Sequence, residues 1–376
     1  MTDLFIDGHI FNVLIEGEED RPALVLSHPM GCNLHFWDAQ IPALTEHFRV
    51  IRYDTRGHGG SVANEGPYSL DLLGRDALAI LDALSVGKAH WMGLSMGSII
   101  GLWLLIHAGG RIGRAVLANT SAYLPGPDLW NGRIEMARSE GMEAIAAGAA
   151  ERWFRASFRD AHPEKVEAVL DMVRATPVQG YVAACASARD FDLREAIRGL
   201  THEVLVIAGQ ADPSTTKEMS AAVAKSIKGA KLITLKTSHM SSIEDEAHFT
   251  KAVLDFLTAP ETHALPAKAP PKKTAAEKAR VKKAQEKKPT AKTAPAKKPT
   301  ARRATPKKGP VKKGPVKKGP VKKFVAKKAA SKKSASRPLA AKSLAKKSAA
   351  KKSATKKKTV ARNRPAAKKG GKAKKR

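Results

Sequence analysis

The sequence predicts an α/β fold for residues 1–259: a mostly parallel sheet with helices on both faces and a helical segment inserted into it. Three observations carry this expectation. Short apolar runs rich in β-formers alternate with segments of helical period, as in a sheet covered on both sides. Charge divides the chain, because residues 1–259 hold 24 Lys and Arg against 32 Asp and Glu, a net of −8, whereas residues 260–376 hold 43 against 3, a net of +40. The longest apolar run, Ile99 to Ile106, is broken by Gly101 and falls far short of the ~20 residues that span a bilayer, so it reads as a buried helix.

Taken in order, Leu4–Ile6 and Ile10–Ile15 flank Asp7-Gly8, a dipeptide suited to a tight hairpin because Gly accepts positive φ. ALVLS at 23–27 and VIRYD at 50–54 read as short strands, with a helix expected from Trp37 to Phe48 between them. Ser69 can cap a helix whose apolar residues Leu73, Ala77, Ile80, Leu81 and Leu84 share one face. Strands are expected at 89–93, 115–119, 204–208 and 232–235, with a helix starting at Met96. The Ala-rich stretch from about Pro125 to Arg189, with Trp130, Trp153 and several Arg, breaks the alternation and reads as a helical cap. The expected division is therefore 1–122 and 190–259 for the core, 123–189 for the cap and 260–376 for a basic tail.

The chemistry concentrates at Gly93-Leu94-Ser95-Met96-Gly97, a G-x-S-x-G pattern between an expected strand and an expected helix. Small flanking residues let the backbone tighten so that the hydroxyl stands out at the carboxyl end of the sheet. A serine needs a base, and the base needs a carboxylate to orient it. Asp212 follows the strand in VLVIAGQAD and His239 follows the next strand in LITLKTSH, which yields the order Ser, acid, His of α/β-hydrolases. Asp190 and Asp192 are rival acids with no comparable strand leading into them. Backbone N–H groups of Met96, directly after the nucleophile, and of Met30, in the loop after the first parallel strand, are the expected oxyanion donors. Pro29 has no N–H to offer. His28 is expected to shape that loop and not to exchange protons, and the turn DTRGHG at 54–59, with His58, is expected to be structural.

SHPMGCNLHFWDAQIPAL, RYDTRGHGGS, GLSMGSIIG, IAGQADPST and TSHMSSIE together resemble the 3-oxoadipate enol-lactonase family of the α/β-hydrolase superfamily. The likeness runs over about residues 1–258, including the cap segment SEGMEAIAAGAAERWF, and stops before the tail. It implies an α/β-hydrolase fold and an enzyme without a cofactor or metal, which opens 3-oxoadipate enol-lactone to 3-oxoadipate in β-ketoadipate aromatic catabolism through an acyl-enzyme on Ser95. Asp212 and His239 complete the implied triad; the His28-Pro29 entry to the oxyanion loop departs from the family pattern. A small anionic substrate calls for a cation in the pocket. Arg133, with Trp130 in DLWNGRIEMAR, is either that anchor or a solvated cap residue, and Trp153 is expected to pack the cap. Another esterase, or a cofactor-free perhydrolase, would use the same residues.

The tail has a single aromatic residue, Phe324, and too little apolar surface to offset its ordering entropy, so disorder is expected. Dibasic doublets begin at 302, 307, 312, 317, 322, 327 and 332, and GPVKK occurs three times. On a helix a five-residue step scatters these pairs around the axis, whereas an extended chain can track a polyanion. The composition resembles linker-histone tails, and non-specific binding to nucleic acid or another polyanion is expected. A nucleoid-associated DNA-binding protein with a secondary hydrolase domain is the alternative from a different class. Cys32 and Cys185 offer no disulfide framework, and MTDLFIDGHIF has no basic stretch followed by an apolar one, so a reduced, cytoplasmic protein without integral membrane segments is expected, with nucleoid association through the tail.

Overall fold

The computed structural model describes residues 2–260; the expectations of disorder and polyanion binding for the basic tail lie, beyond Pro260, outside the described residues. The chain runs β1 (Thr2–Ile6), β2 (His9–Glu16), β3 (Ala23–Ser27), α1 (Ile41–Leu44), β4 (Arg49–Tyr53), α2 (Leu70–Ala83), β5 (Ala89–Leu94), α3 (Met96–Ala108) and β6 (Ile112–Ala118). Four helices follow: α4 (Pro127–Trp153), α5 (Ala156–Ala161), α6 (Pro163–Ala175) and α7 (Val178–Asp190). The chain then returns through β7 (Val204–Gly209), α8 (Lys217–Ser226), β8 (Lys231–Leu235), α9 (Ser241–Glu244) and α10 (Glu246–Leu257).

These strands form one eight-stranded sheet in the order β1-β2-β4-β3-β5-β6-β7-β8, in which β2 pairs antiparallel with both neighbours and every pair from β4 to β8 is parallel. The β1–β2 hairpin turns on Asp7 and Gly8, both at positive φ, as its sequence requires. Burial follows the sheet's position. Every residue of β7, an inner strand between β6 and β8, is buried, because helices cover both faces, while the edge strands β1 and β8 keep exposed positions.

One local expectation is corrected. In place of a continuous helix from Trp37 to Phe48, a 3₁₀ helix spans Leu34–Gln40, α1 covers only Ile41–Leu44, and the chain has left the helix before Phe48. Asn33 starts the tighter turn by accepting the His35 N–H, and the carbonyl of Leu34 accepts from the buried Arg52 guanidinium on β4. Pro42 cannot donate to the carbonyl four residues back, so the two short pieces do not fuse.

The apolar run behind Ser95 is a buried helix: all residues of α3 from Met96 to Leu105 are enclosed. Its first turn approaches the sheet so closely that a Cβ on Gly97 would collide with the carbonyl of Ser27 on β3, and one on Gly93 would collide with the backbone of Gly97. Trp91 Nε1 donates to Gly97 O at 3.0 Å, and Ser98 Oγ donates to the carbonyls of Gly93 and Ala118. Backbone contact of this kind leaves no room for a side chain.

The helices α4–α7 are docked on the sheet's carboxyl-end loops by hydrogen bonds. Thr176 Oγ1 donates to Gly31 O, Tyr68 N–H to Ala183 O, and the N–H groups of His239 and Met240 both donate to Trp153 O. Helix α4 is interrupted at Gly141, whose φ of 80° kinks the chain between two helical segments. An isolated antiparallel bridge joins Tyr123 to Asp192 at the base of these helices. Among the described residues no helix is long and apolar enough to cross a membrane.

Gly97→Ala is expected to cost about 3 kcal/mol, the upper part of the usual overpacking range, because its neighbour is a carbonyl and not a yielding side chain. Gly87→Ala, where a Cβ meets nothing within 4 Å, is the control and should shift stability by no more than about 0.5 kcal/mol. Urea unfolding of both variants checks the contrast.

Candidate active site

Ser95 sits between β5 and α3 with φ 55° and ψ −114°, a conformation that an L-residue holds only when its surroundings enforce it. The Ser95 N–H donates to Ala118 O on the neighbouring strand, and its carbonyl accepts from Ile99 N–H in the first turn of α3. The two glycines therefore permit the turn, and these bonds hold it. Met96 begins α3, where a helix N–H has no intrahelical acceptor.

Asp212 and His239 come from the loops after β7 and β8, neighbouring strands in parallel register. His239 Nδ1 lies 2.8 Å from Asp212 Oδ2, with both side chains buried. Asp212 is saturated with donors: Oδ1 accepts the N–H groups of Ser214 and Thr215 at 2.8 and 3.0 Å, and Oδ2 accepts Thr215 Oγ1 and Asn119 Nδ2. Burial by itself would raise this carboxyl's pKa. The charge and hydrogen bond of His239, with the Asn119 and Thr215 donors, outweigh that and hold it at about 2. An ionised acid on Nδ1 keeps the proton there and leaves Nε2 as the lone-pair face.

Ser95, Met96, Met30 and His239 line a single cavity of about 260 Å³, together with Trp130 and Arg133 from α4. All the site residues expected from sequence thus meet there except Asp212, which stands behind His239. The rival acids do not: Asp190 pairs with Arg189 and Asp192 with Arg194 at exposed positions. Arg133 reaches the cavity wall with its guanidinium 4.5 Å over the Trp130 ring. Trp153, expected as cap packing, is also a wall, and its ring lies 6.4 Å from that of His239.

His28 and His58 are fully enclosed and neutral. His28 Nε2 accepts Thr55 N–H while Nδ1 donates to Pro29 O; His58 Nε2 accepts Gly31 N–H while Nδ1 donates to Arg56 O. Burial lowers the His28 pKa to about 4 and, with the His28 ring as neighbour, that of His58 to about 3. Both rings shape the loop that carries Met30, as expected for His28.

Three residues at the site were not read from sequence. Asn119, at positive φ just past β6, donates Nδ2 to both Asp212 Oδ2 and Ser238 O. Asn after a parallel strand is a usable signal, since Asn tolerates the left-handed region better than other side chains. Thr215 completes the turn around Asp212. Arg152, beside Trp153, lines the cavity; its Nε is buried with no hydrogen-bond partner among the described residues, and burial followed by the nearby Arg133 charge lowers its pKa. An Arg flanked by an aromatic was already the signal used for Arg133.

Comparison with known proteins places the chain in a family. Residues 22–246 match the family model described as alpha/beta hydrolase fold, and the chain belongs to the α/β-hydrolase family. Within it, the chain is 38% identical over 237 residues to 3-oxoadipate enol-lactonase 2 of Acinetobacter baylyi, covering 63% of this chain and 89% of that one. Among solved structures, the enol-lactonase from Burkholderia xenovorans LB400 superposes with a TM-score of 0.68 at 38% identity, over 69% of this chain and all of that one. A hydrolase from Pseudomonas aeruginosa PA01 superposes with a TM-score of 0.67 at 44% identity, over 69% of this chain and 98% of that one. The protein is an enzyme of the carboxylic-ester hydrolase class.

The two buried histidines set a pH dependence of stability. Their folded pKa values lie below the ordinary 6.5, so as pH falls the unfolded chain takes up protons first. Stability present above pH 6.5 should be lost progressively from there to about pH 4, by up to about 1.4 kcal/mol per pH unit for each ring. Urea midpoints measured from pH 7.5 to 4.5 should fall, and should fall less steeply in His58→Gln, whose amide oxygen can still accept from Gly31 N–H. A midpoint flat across that range would contradict the neutral assignment.

Proposed function

We propose that the enzyme hydrolyses a small carboxylate-bearing enol-lactone, 3-oxoadipate enol-lactone by its likeness to the relatives above, through an acyl-enzyme on Ser95. The observation that carries this reading is one cavity lined by a serine on a strained turn, by His239 with Asp212 bonded behind it, and by two arginines, Arg133 and Arg152, for which no ion pair is seen among the described residues.

His239 Nε2 accepts the Ser95 proton as Oγ attacks the lactone carbonyl carbon, and Asp212 stabilises the imidazolium that forms. The oxyanion is held by the N–H groups of Met30 and Met96, each donor contributing roughly 3 kcal/mol in comparable sites. Breaking the ring C–O bond releases an enol oxygen, which takes the proton back from His239. The enol tautomerises to a ketone, which makes ring opening hard to reverse. His239 then deprotonates a water that attacks the acyl carbon, freeing the diacid and Ser95. Arg133 and Arg152 hold the substrate's carboxylate in a desolvated site, where a charge-assisted bond is stronger than in water.

Ser95→Ala should lower turnover of the enol-lactone, followed by its ultraviolet absorbance, by at least about 10⁴-fold with the fold intact. Arg133→Leu and Arg152→Leu should each raise KM for the lactone about tenfold more than KM for a neutral aryl ester, the loss of one charge-assisted bond. Rapid hydrolysis of aryl esters with no turnover of the lactone would instead assign a general esterase.

For the tail we propose non-specific binding of nucleic acid, from the net +40 of residues 260–376 and the five-residue spacing of its dibasic pairs. Cationic pairs on a chain without recognition elements bind phosphates by releasing counterions, independent of sequence. Deleting residues 261–376 should abolish retardation of duplex DNA in gels while leaving kcat/KM for the lactone within about twofold. Retardation that persists in the truncated protein, or that resists 0.5 M salt, would overturn this reading.

A further inference from the structure

Glu244, the last residue of the four-residue α9, has a fully enclosed carboxylate that plays no part in the proposed chemistry. It joins two segments that meet at the cavity. On one side Oε2 accepts Ser238 N–H at 2.6 Å, next to His239. On the other, Oε1 accepts Arg155 N–H at 2.5 Å and Oε2 accepts Arg155 Nε at 3.0 Å, directly after the end of α4 that carries Arg152 and Trp153. Further bonds close the same seam: Ser238 Oγ donates to Arg152 O at 3.2 Å, and the N–H groups of His239 and Met240 converge on Trp153 O at 3.1 and 3.2 Å. The backbone of residues 152–155 therefore has little freedom to move without the backbone of residues 238–240.

We infer that Glu244 is a positioning residue that registers the Arg152 cation against the His239 base, so that the preference for carboxylate-bearing esters depends on this carboxylate although it lines no part of the cavity. The inference rests on the proposed reading of Ser95, His239 and the arginine pair. Its physical basis is the fixed geometry of the seam. A cation that recognises a substrate carboxylate helps the chemical step only if it holds the reacting carbonyl at the distance the serine and base require, and a displacement near 1 Å is enough to lose that advantage. Three donors converge on two carboxylate oxygens here, and a charged acceptor is the group best suited to take them all.

Replacing the carboxylate by an amide separates the two sides. A Gln at this position has a single acceptor oxygen. If that oxygen keeps Ser238 N–H and Arg155 Nε, its NH₂ faces Arg155 N–H, donor against donor, and the hold on the α4 end is weakened and its register shifted while the His239 loop keeps its bond. The test compares two aryl esters of nearly equal shape, a succinate half-ester and a butyrate, in full-length wild type, Glu244→Gln and Ser95→Ala. Wild type should prefer the half-ester, and Glu244→Gln should reduce the ratio of the two kcat/KM values at least tenfold, mostly through kcat of the half-ester. A wild-type preference that survives unchanged in Glu244→Gln, or equal losses on both esters, overturns the role of Glu244 while leaving the active-site reading intact. A wild-type ratio near one, or full activity in Ser95→Ala, defeats the active-site reading itself and this inference with it.

If Glu244→Gln does not fold, hydrogen exchange on Ser95→Ala decides the matter. The amides of Arg155 and of residues 238–240 should exchange at matching rates and gain protection together when the half-ester is added. Rates that differ more than tenfold, or protection gained on one side alone, overturn the inference.

Discussion

The carbonyl of Ser27 occupies the space that a side chain on Gly97 would need, and the arrangement at the rim of the sheet follows from that approach. With α3 pressed against β3 and β5, the chain between β5 and α3 has only one tight path, and Ser95 is held at φ 55° along it. The strain of this conformation is opposed by bonds from outside the turn: Ser95 N–H to Ala118 O, Ser98 Oγ to two carbonyls and Trp91 Nε1 to Gly97 O. A strained residue persists when its surroundings over-determine it, and here the surroundings are neighbouring strands of one sheet. The position of Ser95 is thus set by strand packing, before any partner side chain is considered.

A parallel sheet brings the remaining groups to the same rim. Strands β5, β6, β7 and β8 are neighbours in space and point the same way, so the loops after them, bearing Ser95, Asn119, Asp212 and His239, open on one edge. Asn119 is the link between these loops. Its amide ties Asp212 to the Ser238 carbonyl, so the acid and the histidine loop are fixed to each other and to the end of β6. Meanwhile, the neutral pair His28 and His58 serves the loop that carries Met30, since each accepts a backbone N–H that a buried loop could not leave unsatisfied. The same side-chain type takes different partners here: His28 and His58 accept from backbone, whereas His239 pairs with the Asp212 carboxylate.

The helices α4–α7 bring two cations to the cavity that Ser95 and His239 line. Arg133 stacks on Trp130 and Arg152 stands near it, two like charges brought into one partly desolvated space. Like charges that approach without a carboxylate between them favour an anionic ligand, because the ligand relieves their repulsion. The same helices are joined to the sheet's loops at Gly31, Tyr68, His239 and Met240, so the arginine-bearing helices and the Ser95 and His239 loops share hydrogen bonds as well as a cavity.

Local chemistry made much of this legible before folding. Alternating strand and helix periods determined the fold class, G-x-S-x-G between a strand and a helix marked the strained turn at Ser95, and the post-strand positions of Asp212 and His239 set them above Asp190, Asp192 and the other histidines as a side-chain pair. The boundary errors were also local. Pro42 and the Asn33 cap were visible, but the demand of Arg52 for the Leu34 carbonyl was not, and that bond helps keep the segment a 3₁₀ turn. Tertiary structure alone decided the rest: Asn119 between Asp212 and Ser238, Arg152 beside Arg133, and Glu244 across 89 residues of sequence from Arg155. Those roles arise from donors and acceptors that meet only after the chain has closed. A pattern along the sequence can mark a turn or a face, but it cannot report which buried carboxylate two distant N–H groups will share.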